Sequence, residues 1–172
     1  KLAYNILAYS YNEIGDFDKS IWAINKYIEL APDEPNPYDT RADLYAYNGK
    51  IDQAIDSYKK ALEKKQDFYP SQFKLGDMYL FKKDYAKAES CYERLCASSD
   101  AGTRAEGRLY LAYIPAYQGK FDEALKVSED GIIADRMDKV DGWQNAEKHF
   151  IKSRIYQERK NPAQALKEIK KD

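Results

Sequence analysis

The sequence predicts an all-α fold, a solenoid of stacked helix–turn–helix hairpins, on three observations. Tyr38, Ala42 and Tyr45 are spaced four and three apart, and so are Ala54, Tyr58 and Ala61. Offsets of three and four put side chains on one face of a helix. Asn48-Gly49-Lys50 separates the two stretches, and glycine ends a helix cheaply because it tolerates a left-handed backbone. The pattern then recurs, with a small residue after each turn: Ser20, Ala54, Ala88, Ala124 and Ala165. Its first two steps are about 34 residues. One hairpin cannot bury its apolar face alone, so such hairpins are expected to stack.

Five hairpins account for the 172 residues, at approximately 2–34, 36–68, 70–99, 103–135 and 140–172. The first pairs helices near 2–14 and 18–30, with Pro32 closing it because proline cannot continue a helix. Pro37 suits the first turn of the next helix, and the second hairpin runs 37–48 and 52–64. The third, 70–81 and 85–97, has Lys83-Asp84 in place of a turn glycine. Aspartate before a second helix is a capping signal, met at Asp16 or Asp18, Asp52, Asp84 and Asp122. The small-residue run 97–102 offsets the fourth hairpin, near 103–118 and 122–134. Pro115 stands in its first helix, where a proline removes a backbone hydrogen bond and is expected to kink the chain. Residues 136–142 form an insertion. A long helix, 140–159, then carries Trp143, expected to cover the preceding hairpin, and a stub follows over 163–171. Eight tyrosines fall at core positions: Tyr4, Tyr11, Tyr38, Tyr45, Tyr58, Tyr79, Tyr92 and Tyr156. A tyrosine can turn its ring and its hydroxyl to different surroundings.

The turn segments carry a resemblance. Gly15-Asp16-Phe17-Asp18-Lys19-Ser20-Ile21 ending at Pro32, Gly49-Lys50-Ile51-Asp52-Gln53-Ala54-Ile55, and Gly119-Lys120-Phe121-Asp122-Glu123-Ala124-Leu125 are similar to tetratricopeptide repeats. The resemblance extends over nearly the whole chain. It implies a right-handed superhelix forming one domain, and a non-catalytic scaffold that docks another protein.

Composition narrows the function classes. The formal net charge is −1 and there is no long basic run, which argues against nucleic-acid binding. No apolar stretch is long enough to span a membrane. The cysteines Cys91 and Cys96 are five apart on one expected helix, which points them away from each other. Free thiols fit a reducing compartment, so a cytoplasmic location is expected. His149 is the only histidine and cannot make a zinc site alone. There is no phosphate-binding glycine loop. The reading is therefore of a chain that is not an enzyme, with no catalytic residue, metal or cofactor. It starts at Lys1 on a repeat and stops at Asp172 inside one, without the polar caps that end solenoids. It is thus expected to be a piece of a longer protein. The alternatives are self-association as a homo-oligomer through uncapped ends, and a regulatory segment attached to a catalytic domain elsewhere.

In the family the first helix of each hairpin lines a concave groove. Carried over, the groove residues are Asn5, Tyr9 and Asn12; Asp39, Asp43 and Tyr47; Phe73, Lys74, Asp77 and Phe81; Leu109, Tyr110, Tyr113 and Tyr117; and Phe150 and Arg154. Chaperone-binding relatives hold a C-terminal carboxylate with a clamp of lysine, asparagine and arginine. Asn5 and Tyr9 occupy the first two of those places here, and Asp43 and Asp77 add negative charge, so the clamp is expected to be absent. An aromatic groove with acids at its middle implies a protein or peptide partner with apolar residues and Lys or Arg.

Overall fold

In the computed structural model, which describes residues 1–170, every regular element is a helix. Lys171 and Asp172, the expected end of the last hairpin, lie outside the described residues. The order is α1 Leu2–Glu13, α2 Phe17–Leu30, α3 Asn36–Tyr47, α4 Ile51–Lys64, α5 Tyr69–Phe81, α6 Tyr85–Cys96, α7 Ala101–Tyr117, α8 Phe121–Met137, α9 Trp143–Glu158 and α10 Pro162–Ile169. The fold is an all-α solenoid of helical hairpins. The chain divides into two compact units, Lys1–Lys82 and Lys83 onward.

In the first unit α1 packs on α2, α2 on α3, α3 on α4 and α4 on α5. Its core gathers Ala8, Ala23, Ile24, Tyr27, Ala31 and Leu44, flanked by Tyr4, Leu7 and Tyr11. Ser20 stands where the other hairpins have alanine, and its hydroxyl donates to Ala8 O at 2.8 Å, so the polar atom is satisfied at a buried contact. Hairpin meets hairpin in a ladder of polar bonds between residues one repeat apart. Thr40 donates to Asn5 at 2.9 Å, Tyr9 to Asp43 at 3.1 Å and Asn48 to Asn12 at 2.7 Å.

In the second unit α6 packs on α7, α7 on α8, α8 on α9 and α9 on α10, and α7 also touches α9. Leu109, Ala112, Ala124, Ile151 and Ile155 form its apolar core. Gly107 lets α6 and α7 approach: a Cβ there would lie 2.8 Å from both the backbone N and the Sγ of Cys96. α7 continues through Pro115 to Tyr117, and Gln118 caps it three residues beyond the proline. The five small turn-following residues are all buried. Of the eight core tyrosines, Tyr38, Tyr58, Tyr79 and Tyr92 are buried and the others half-buried.

Two expectations are corrected. Asp16 and Asp84 cap α2 and α6 through the backbone N–H of Lys19 and Lys87. Asp52 and Asp122 do not cap; they lie inside the first turns of α4 and α8, behind Lys50 and Lys120, where their charge faces the positive helix end. Asp100 and Asn161 are caps that the repeat comparison missed. Trp143 is 55% exposed. α8 runs on to Met137, and α9 starts only at Trp143. The insertion is thus shared between a lengthened helix and a short loop, and the indole at the very start of α9 stays more than half exposed beside that loop instead of covering the preceding hairpin.

Candidate functional site

The first helices of the first-unit hairpins, α1, α3 and α5, carry ten of the expected groove residues. Their middle is a closed polar cluster. Lys74 Nζ lies 2.9 Å from Asp39 Oδ2 and 2.8 Å from Asp43 Oδ2. The Ser71 hydroxyl donates to Asp39 at 2.7 Å, and the Tyr58 hydroxyl to Asp43 at 2.6 Å. Burial pushes the Asp39 carboxyl up, opposed by the charge of Lys74. Burial works against the charged form of Lys74, yet its pKa is raised, because the hydrogen bond to Asp43 and the charge of Asp39 outweigh it. Burial and the neighbouring Asp43 charge push Tyr9 up to about 12. Two carboxylates against one ammonium leave one negative charge, held mostly below the surface.

Asn5, Tyr9 and Asn12 face their α3 partners in the inter-hairpin ladder. Phe73 and Asp77 are half-buried on α5. Tyr47 and Phe81, the last residues of α3 and α5, are 71% and 73% exposed.

The second unit brings other expected residues together. Tyr113, Tyr117, Phe150 and Arg154, from α7 and α9, line one cavity of about 320 Å³ with Phe121, Ile155 and Glu158. The Tyr113 and Tyr117 rings stack with centroids 6.0 Å apart. Tyr113 donates its hydroxyl to Glu147 across the two hairpins, and burial followed by that bond raises its pKa. Tyr110 lies outside the cavity, stacked on Tyr92 at 5.1 Å. Leu109 is buried in the core. Phe121 escaped the carry-over because it opens α8, a second helix, and only first helices were carried over. Only the packing of the start of α8 beside α7 and α9 places it at the cavity wall.

Beneath α7, α8 and α9 runs a buried ionic network. Lys148 Nζ meets Asp135 Oδ2 at 2.6 Å and Ala105 O at 3.2 Å. Arg108 bridges Asp135 and Asp138, each at 2.6 Å. Arg104 reaches Asp138 at 2.9 Å. His149 Nδ1 is 3.0 Å from Glu168, which also meets Lys152 at 3.2 Å. Charges scattered in sequence thus converge as structural pairs. Burial lowers the pKa of Lys148, opposed by Asp135, and raises that of the Cys96 thiol. Among the described residues, no group of three or more His, Cys, Asp or Glu could hold a metal ion. No described helix is long and apolar enough to cross a membrane.

Comparison with known proteins agrees with this architecture. Family profiles described as tetratricopeptide repeat match residues 2–34 and 40–103. The chain is 19% identical over 134 residues to human Tetratricopeptide repeat protein 13 and 26% identical over 95 residues to human Protein O-mannosyl-transferase TMTC1. The matches cover 78% and 53% of this chain but only 15% and 11% of those relatives. Among solved structures, MamA is 19% identical with a TM-score of 0.70, covering 95% of this chain and 91% of its own. YrrB, a TPR protein with an unusual peptide-binding site, is 18% identical with a TM-score of 0.62, covering 96% and 80%. TPR-like repeats of a kinesin light chain from Podosopora anserina are 15% identical with a TM-score of 0.71, covering 98% and 90%. With both profiles matching and successive helices packed in this way within each unit, the chain belongs to the tetratricopeptide-repeat family, whose stacked hairpins are scaffolds for protein–protein interaction.

Proposed function

We propose that this chain holds a peptide or helix of a partner protein on the first-helix faces of its hairpins, with an apolar side chain of the partner as anchor. The carrying observation is the cavity between α7 and α9, walled by Tyr113, Tyr117, Phe121, Phe150 and Ile155 with Arg154 and Glu158 also lining it. Aromatic walls with a few polar groups suit an inserted apolar side chain. Exposed Tyr47 and Phe81 offer further rings, which accept cations over their faces. Glu158 in the cavity wall favours Lys or Arg beside the anchor, and on the first unit the residual negative charge of the Asp39–Asp43–Lys74 cluster has the same preference. The expected groove residues Asn5, Tyr9, Asn12 and Asp77 belong to this proposal as the frame that spaces the helices.

A peptide array probed with the purified chain tests it. Peptides with an aromatic or leucine anchor flanked by Lys or Arg are expected to be retained. A Tyr117→Ala/Phe150→Ala chain is expected to lose about tenfold or more in affinity. Both side chains are largely exposed, so thermal stability is expected to stay near wild type. Unchanged binding by that variant, or equal retention when every Lys and Arg is replaced by Gln, would refute the proposal.

A further inference from the structure

We infer that a second, separate pocket at the insertion between α8 and α9 binds an acidic peptide segment carrying an aromatic residue. The end of α8, the following loop and the start of α9 line a half-open cavity of about 710 Å³. Arg136, Lys139, Ile132, Val140, Asp141 and Trp143 are among its walls. The side chains of Arg136 and Lys139 enter no ion pair or hydrogen bond among the described residues, unlike the arginines of the neighbouring network. Asp141 is the carboxylate in the wall, and His149, which also lines it, is engaged by Glu168. Two cations against one carboxylate leave a net positive charge. The start of α9 adds to it, since Gly142 and Trp143 line the cavity, no side chain caps that helix, and its dipole is positive at this end.

The volume and the apolar walls decide between ligands. A lone phosphate would fill little of 710 Å³ and would leave the half-exposed Trp143 indole, Ile132 and Val140 unused. Carboxylates paired to Arg136 and Lys139, with an aromatic ring against Trp143, use both halves of the wall. The charge is opposite to that of the first-unit cluster, so one partner peptide does not suit both places.

Trp143 supplies the readout. In a Trp22→Phe chain the indole of Trp143 is the sole tryptophan emitter. Titration with acetyl-Phe-Glu-Glu-Phe-amide is expected to shift its fluorescence saturably, and acetyl-Phe-Gln-Gln-Phe-amide is not. The apparent affinity is expected to fall as salt rises. The Arg136→Glu/Lys139→Glu chain is expected to bind at least about tenfold more weakly. Both substituted side chains are exposed; should the double variant unfold, the same titration of Arg136→Gln decides. No saturable shift, an equal response to the Gln peptide, or saturation by inorganic phosphate alone would overturn the inference.

Discussion

Lys148 Nζ lies 2.6 Å from Asp135 Oδ2, and both side chains are fully buried. Gly131 makes the room: a Cβ there would sit 2.9 Å from Lys148 Cε. Removing one partner of a buried pair leaves an uncompensated charge and costs about 3–5 kcal/mol. Asp135→Ala is therefore expected to lower unfolding free energy by that amount in urea melts. Lys148→Met is expected to cost less, because Asp135 keeps Arg108 at 2.6 Å. An Asp135→Leu/Lys148→Met chain, with neither charge, is expected to be more stable than Asp135→Ala.

The same network sets an acid limit. Hydrogen bonds from Arg104 and Arg108 hold the Asp138 carboxyl well below the usual carboxylate range. A carboxyl depressed in the folded state stabilises it above the unfolded value of about 4. That contribution fades as pH falls below about 4 toward the lowered folded value. The melting temperatures of the wild-type and Asp138→Asn chains are expected to differ at pH 6 and to converge towards pH 2. A constant difference across that range would contradict the assignment.

Gly107→Ala is expected to destabilise the second unit. The new methyl would lie 2.8 Å from the backbone N of Cys96, which cannot swing aside as a side chain can. Overpacking of this kind costs about 1–3 kcal/mol. Equilibrium unfolding followed by circular dichroism reads it directly.

Lys160 closes the turn before α10 with φ of 55°, the left-handed region that Gly119 occupies at 72° in the turn before α8. A residue with a Cβ there costs about 1–2 kcal/mol relative to glycine, partly offset by glycine's freer unfolded chain. Lys160→Gly is expected to raise stability by about 0.5–1 kcal/mol, and Gly119→Ala to lower it, in paired thermal melts.

The frame was readable because it rests on local rules. Spacings of three and four, a small residue after each turn and turn glycines act within a few residues, and Ser20, Ala54, Ala88, Ala124 and Ala165 are all buried as the period requires. Caps were less readable. Asp52 and Asp122 look like Asp16 in the string but stand two residues past the cap position, inside the first turn, since the hydrogen-bonded turn, not the residue type, decides where a helix begins. The candidate site was half readable: Tyr113, Tyr117, Phe150 and Arg154 were named from the repeat, while Phe121 and Glu158 joined them only through packing.

By itself the string of residues determined that helices form, that they pair, and which side of each faces inward, because amphipathic period and turn chemistry are properties of neighbours. Only the tertiary structure decided what the charges do. Asp39 and Asp43, read as open acids, are tied to Lys74. Asp135 and Lys148, unremarkable in the string, form a buried pair, while Arg136 and Lys139 stay unpaired at a pocket. Ion pairing depends on distance and burial between residues far apart along the chain, which no local spacing rule records.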